Sequence, residues 1–252
     1  MVEEATKHTM ANSYFQFKQF TIHQDRSALK VSTDSCIFGA WIAGMSNELR
    51  AMSHEPRVLD IGAGTGLLML MLAQQWGGAI DGIEIDQSSF QQANENIQAS
   101  PWSERLQVLP GDIKSVALPA VYDLIISNPP FYEGDLTSPA LHKNLAKHDT
   151  GLTLEALLEA VDKHSGPGGR LALLLPWRRV DYFRQLAAQR GWQPVKELLI
   201  RQTPLHPYFR AALLFQKNYP GTVSTESLAI HTTERVYTAE MEALLRPYYL
   251  YL

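Results

Sequence analysis

From Pro56 onward, short apolar runs rich in Val, Ile and Leu alternate with longer stretches whose apolar residues recur at helical spacing. That alternation is the mark of helices packed on a parallel sheet. The apolar runs predict strands over 58–61, 80–83, 106–109, 124–127 and 171–175, with later ones near 196–200 and 211–215. The periodic stretches predict helices over 66–76, 87–99, 154–164 and 179–190, stopped by turn signals at Gly77-Gly78, Gly166-Pro167-Gly168-Gly169 and Gly191. Residues 202–210, with Pro204 and Pro207, join the last two runs closely, so a hairpin is expected there rather than another helical crossover. Met241, Leu244 and Leu245 at helical spacing ahead of Tyr248, Tyr249 and Tyr251 predict a last helix and an aromatic tail docked on the body. Phe15, Phe17 and Phe20 are expected to pack in the same way.

Two segments escape the alternation. Residues 1–50 carry aromatic and basic residues and then KVSTDSCIFGAW, while residues 132–150 form a polar stretch with little periodicity, a connection of the length that is functional or disordered in a compact domain. The expected division is an N-terminal extension, 1–50, and one domain over 51–252. At 252 residues the chain can bury a full core. Lys+Arg 22 against Asp+Glu 26 gives a net charge of -4, which argues against a protein that coats nucleic acid through a global positive field but leaves room for a local basic patch. Cys36 is the only cysteine and no Cys/His spacing resembles a zinc site, so neither disulfide nor metal is expected, and a reducing cytoplasm is. Cys36 itself is expected to be a small buried apolar residue rather than a nucleophile. Residues 1–20 have early acids and no apolar h-region, and LLMLMLA at 67–73 is too short to span a bilayer, so neither secretion nor membrane insertion is expected.

Chemistry enters at VLDIGAGTG, residues 58–66: a strand, the acid Asp60, then Gly62, Gly64 and Gly66 opening a helix. Glycines permit a tight turn and close approach of a ligand, and a helix start offers free N–H groups, which suits a nucleotide-like molecule. A dinucleotide fingerprint has its third glycine one residue later, where this chain has Leu67. An acid just before the loop also suits a cation better than a diphosphate. The pattern therefore favours S-adenosylmethionine over NAD, with an NAD-dependent oxidoreductase as the alternative from another class. Glu84 ends the second expected strand, where a carboxylate can accept both ribose hydroxyls; Asp112 and Ile113 follow the third, where the acid can accept an adenine amino group. One such acid alone is more often solvated or a helix cap, but three at the ends of successive strands mark a site.

SNPPF, residues 127–131, leaves the fourth expected strand. An amine conjugated to an aromatic ring is a poor nucleophile. Two acceptors that take both of its hydrogens favour a pyramidal nitrogen and stabilise the positive charge developing in the transition state. The Asn128 side-chain oxygen and the Pro129 carbonyl are the candidates, stiffened by Pro129 and Pro130, and Phe131 offers a face on which a base can stack. Asn-Pro and Pro-Pro are ordinary turn punctuation as well, so position after a glycine loop and strand-end acids carries the chemical reading.

DIGAGTG with Glu84, Asp112 and NPPF resembles the class I S-adenosylmethionine-dependent methyltransferases, in particular the N6-adenine group, whose motif is Asn or Asp, two prolines and an aromatic residue. FKQFTIHQDRSALKVSTDSCIFGAW at 17–41, LAKHD at 145–149 and YTAEMEALLRPYYLYL at 237–252 are similar to the bacterial tRNA(Val) adenine-N6 methyltransferase family. The resemblance implies an α/β, Rossmann-like fold: a seven-stranded, mostly parallel sheet with a reversed final strand and helices on both faces. It implies S-adenosylmethionine as cofactor and N6-methylation of the adenine just 3′ of the anticodon in a valine tRNA. It also implies that KVSTD, 30–34, folds over the methionine end of the cofactor, with Lys30 or Thr33 near its carboxylate, so that the extension closes over the cleft. The family has glycine where this chain has Ser35; a positive φ at that place would strain Ser35.

Lys143, Lys147 and His148 follow NPPF and are candidate RNA contacts, with Lys7, Lys18, Arg178 and Arg179 as further ones, although a single surface cation is commonly just solvated. An anticodon loop is already single-stranded, which lowers the cost of extruding a base. A monomer or weak dimer is expected. The same NPP chemistry serves guanine amines and glutamine side-chain amides, so the motif leaves the acceptor open and only the terminal segments favour tRNA. A non-catalytic RNA-binding module is the remaining alternative.

Overall fold

The structure, a computed structural model, describes residues 12–27, 29–46, 56–118, 121–129 and 151–252. It opens with a small antiparallel hairpin, β1 (Tyr14–Gln16) and β2 (Thr21–His23), followed by helix α1 (Thr33–Gly44). Then come β3 (Val58–Ile61), α2 (Leu67–Ala73), β4 (Ile80–Glu84), α3 (Gln87–Gln98), β5 (Leu106–Pro110) and β6 (Tyr122–Ser127). The chain continues with α4 (Leu154–His164), β7 (Ser165–Pro176), α5 (Val180–Gln189), β8 (Trp192–Arg201), β9 (Tyr208–Lys217), β10 (Ser224–Ala229) and α6 (Ala239–Leu245). Strands β3 to β10 make one sheet in the order β10-β8-β9-β7-β6-β3-β4-β5. Only β9 is reversed: it pairs antiparallel with both β7 and β8, and every other pairing is parallel.

Apolar side chains fill both faces because they alternate along each strand. Val58, Leu124, Ile126, Ala172 and Leu174 point to one side, onto α1, α2, α3, α6 and the hairpin. Leu59, Ile61, Ile125, Leu171 and Leu173 point to the other, onto α4 and α5. Gly39 lets α1 lie close on α2, since a Cβ there would stand 2.7 Å from Met71 Sδ. Tyr248 is buried and donates to the Met71 carbonyl at 3.2 Å, and Tyr249 bridges Phe17, so the aromatic tail docks against the N-terminal hairpin as expected.

The fold class is the expected one, with three differences in detail. The sheet has eight strands, not seven: β10 adds parallel to β8 at the edge, and its Ser-Thr-Glu-Ser start carries no apolar alternation to announce it. Helix α1 replaces an unassigned stretch; it is buried along most of its length, so no polar face gives it a helical period. Helix α4 stops at His164, ahead of Gly166–Gly169 as expected, but that segment already belongs to β7, which starts at Ser165 rather than near Leu171; there the pairing with β6 slips from Tyr122↔Ser165 to Leu124↔Arg170 and Gly168 takes φ +72°. The hairpin expected between the last two predicted strands is the β8–β9 pair.

Candidate active site

Parallel strands β6, β3, β4 and β5 end side by side, and chain order reverses between β3 and β6: from β3 the sheet grows through β4 to β5 in one direction and from β6 to β7 in the other. The crevice beyond such a reversal is where open α/β sheets bind ligands. The glycine turn leaves β3 there and Asn128 leaves β6. Ser127 Oγ ties the two strand ends together by donating to the Ile61 carbonyl at 2.7 Å.

In the turn, Gly62, Gly64 and Gly66 take φ of +78°, +57° and +79°, which explains why the sequence needs glycine at each. A Cβ at Gly62 would meet nothing within 4 Å, so the backbone faces open space where a ligand can lie against it. Glu84 braces the turn from the next strand. Its Oε2 accepts from the Gly64 N–H at 2.7 Å and its Oε1 from the Asp86 N–H at 2.9 Å, which leaves each oxygen a further lone pair. Asp60 is fully buried, and neither carboxylate oxygen has a hydrogen-bond partner among the described residues. Burial, and then the neighbouring Glu84 charge, pushes its carboxyl up to about 8. A buried acid with no partner is costly, and a cationic ligand is what would relieve it. The residues present therefore fit a cationic, nucleoside-like cofactor.

Asn128 has the complementary arrangement. Its Nδ2 donates to Ser35 Oγ at 2.8 Å, while its Oδ1 is buried without a partner among the described residues. An amide held by one end with its acceptor unmet is what a substrate N–H requires. Pro129 is buried beside it; Pro130, Phe131, Lys143, Lys147, His148 and Lys7 lie outside the described residues.

Asp112 ends up beyond β5, with Oδ1 accepting from the Lys114 N–H at 2.9 Å and Oδ2 3.4 Å from Lys114 Nζ; Ile113 beside it is buried. Thr33 is exposed at the start of α1, and Lys30 Nζ is bonded to the Gln24 carbonyl. Lys18 Nζ reaches the Arg246 carbonyl at 2.6 Å and so clasps the C-terminal segment. Arg178 and Arg179 stand in the turn after β7, on the crevice edge of the sheet, with Arg179 4.8 Å above the Tyr182 ring. Cys36 is fully buried and its thiol is pushed up to about 12 by that burial, an unreactive position. Ser35 lies inside α1 with no positive φ, so the serine is unstrained. The sequence marks Ser35 only as a departure from a pattern; its contact with Asn128, 93 residues away, is visible only in the fold.

Among the described residues no helix is long and apolar enough to cross a membrane, and no group of three or more His, Cys, Asp or Glu is placed to hold a metal ion. Residues 43–172 match the model of the family described as methyltransferase small domain. A tRNA1(Val) (adenine(37)-N6)-methyltransferase of Tolumonas auensis is 39% identical over 243 residues, 96% of this chain and 98% of that protein. One of the same name from Dyadobacter fermentans is 39% identical over 207 residues, 82% of this chain and 83% of that protein. Among solved structures, a "predicted O-methyltransferase" of Agrobacterium tumefaciens superposes with a TM-score of 0.64 at 20% identity, over 83% of this chain and 95% of that one, a likeness of fold. The fold, the glycine turn and these relatives set aside the oxidoreductase alternative: the chain belongs to the methyltransferase small-domain family and, within it, to the family of the tRNA1(Val) (adenine(37)-N6)-methyltransferases.

Proposed function

We infer that this protein is an S-adenosylmethionine-dependent methyltransferase that acts on N6 of an adenine in tRNA, the adenine at position 37 of a valine tRNA, as the names of its relatives state for them. The observation that carries the chemistry is the buried Oδ1 of Asn128, without a hydrogen-bond partner among the described residues, at the crevice where the glycine turn and the buried Asp60 also meet.

S-adenosylmethionine, when bound, supplies an electrophilic methyl group on a sulfonium. Asp60, Glu84 and the turn Gly62–Gly66 form the proposed cofactor cradle, with Asp112 and Ile113 at its adenine end and Lys30 and Thr33 at its methionine end. Asn128 Oδ1 and the Pro129 carbonyl accept the two N6 hydrogens, which draws the nitrogen lone pair out of the ring. As the C–N bond formed, the methyl–sulfur bond would break with its electron pair returning to sulfur and S-adenosylhomocysteine would leave; those acceptors would stabilise the positive charge on N6, and the product ammonium would give its proton to water. No general base is required. In this reading Phe131 stacks on the target base, and Lys143, Lys147 and His148, together with Arg178 and Arg179, contact the phosphates around it. Residues 1–50 act as an extension that closes over the cleft onto the domain of 51–252. A cytoplasmic location and a monomeric or weakly dimeric state complete the reading.

The test is mass spectrometry of nucleosides from bulk tRNA incubated with the protein and methyl-labelled cofactor. Labelled N6-methyladenosine confined to one valine tRNA is expected. Asn128→Ala should bind cofactor as before and lose on the order of 100-fold or more in kcat. Label on another nucleoside, or normal turnover by the variant, would overturn the assignment.

A further inference from the structure

A primary amide has two ends of nearly equal shape, and only its neighbours decide which end faces a substrate. In this crevice the deciding neighbours form a chain of side chains from α1. Asn128 Nδ2 donates to Ser35 Oγ at 2.8 Å; Ser35 Oγ lies 2.8 Å from Ser32 Oγ; Ser32 Oγ donates to Asp34 Oδ1; and Arg210 Nε, from β9, donates to Asp34 Oδ2 at 2.9 Å. The Ser35 N–H also donates to Ser32 Oγ and Asp34 Oδ1, at 3.3 and 3.1 Å.

The direction of the hydrogens along this chain is determined from its far end. Asp34, paired with Arg210, is a carboxylate and can only accept, so Ser32 spends its single hydrogen on it. Ser32 Oγ must then accept from the Ser35 hydroxyl, and Ser35 Oγ, having given its hydrogen away, must accept from Asn128. The amide therefore presents nitrogen to α1 and oxygen to the crevice. With the amide reversed, Ser35 would have to donate to Asn128, and the two serine oxygens would meet lone pair to lone pair at 2.8 Å unless Ser32 abandoned Asp34.

We propose that Ser35 is a positioning residue for methyl transfer: through the Ser32–Asp34–Arg210 relay it fixes the Asn128 amide with Oδ1 toward the acceptor amine. This rests on the reading of Asn128 Oδ1 as an acceptor of an N6 hydrogen. A reversed amide would offer two hydrogens to a group that itself needs acceptors, so each molecule with the amide turned is inactive while its cofactor cradle is intact.

Ser35→Ala removes one oxygen from the first turn of α1 and should lower kcat about tenfold, equivalent to about 1.4 kcal/mol, with KM for tRNA and the cofactor dissociation constant unchanged. In an Asn128→Ala background the same substitution should change kcat by less than about twofold, because the group it orients is gone. An unchanged kcat in Ser35→Ala, or an equal loss in both backgrounds, overturns the proposal. Should Ser35→Ala bind cofactor poorly, Ser35→Thr, which keeps the hydroxyl, must restore kcat relative to Ser35→Ala; failure to do so overturns it too. Failure of the parent reading looks different: Asn128→Ala would itself turn over normally, whatever Ser35 does.

Discussion

Replacing Asp60 by Asn keeps the size of a fully buried side chain and removes its ability to ionise, and the pH dependence of stability should change in a calculable way. The wild-type carboxyl, pushed up to about 8 by burial and by Glu84, holds its proton in the folded protein. In the unfolded chain the same group gives its proton up near about pH 4. Between those values the folded state carries one proton more, so stability falls as pH rises, and the loss is complete above the folded value. The slope approaches about 1.4 kcal/mol per pH unit, and integrated from about pH 6 to about pH 8 the loss is roughly 2 kcal/mol. Urea unfolding of the cofactor-free protein across that range should therefore show wild type losing about 2 kcal/mol relative to Asp60→Asn, a shift of some 4–8 °C in Tm. Taking the difference between the two proteins cancels other titrating groups, among them His164, whose burial lowers its own affinity for a proton. A cationic ligand that pairs with Asp60 must displace the proton, so wild-type affinity for S-adenosylmethionine should rise up to about tenfold per pH unit below about pH 8, and that dependence should vanish in the variant. Parallel stability curves for the two proteins would refute the assignment of Asp60 as a buried, proton-bearing acid.

Two further outcomes follow from the glycine turn. Gly66→Ala should cost about 1–2 kcal/mol in urea unfolding, because φ +79° is strained for any Cβ-bearing residue while the space itself, 3.7 Å from Ala93, is ample. Glu84→Gln should destabilise by about 1–3 kcal/mol and weaken cofactor binding by about tenfold in a calorimetric titration, since one of the N–H groups of Gly64 and Asp86 would then face an NH2 instead of an oxygen.

The parts of this fold that could be read along the chain are those where a local pattern has one physical cause. Strand β7 carries the unbroken apolar run Leu171–Leu175 because both faces of the sheet are covered, and α4 shows its period because one side meets solvent. The glycine turn was legible because its φ values leave little choice of residue, and Asp60 and Glu84 because strand ends in such sheets lie together. Helix α1 was not legible, since burial of Ser35 through Ala43 erased the contrast between faces. The orientation of Asn128 was beyond reach for another reason: it depends on hydroxyl hydrogens relayed from Arg210 across elements far apart in sequence. The bond of Lys30 Nζ to the Gln24 carbonyl is likewise a contact that the sequence does not announce.

Strand β10 also bears on how copies of the protein avoid one another. Without it, β8 would end the sheet and offer an unpaired backbone ladder along Leu198, Leu199 and Ile200, a template for accretion of other chains. The added strand moves that border out to Ser224, Thr225, Glu226 and Ser227, all solvent-facing, short and interrupted by a charge. A ribbon so polar is a poor seed for intermolecular strand pairing, and it keeps the sticky ladder of its neighbour out of circulation.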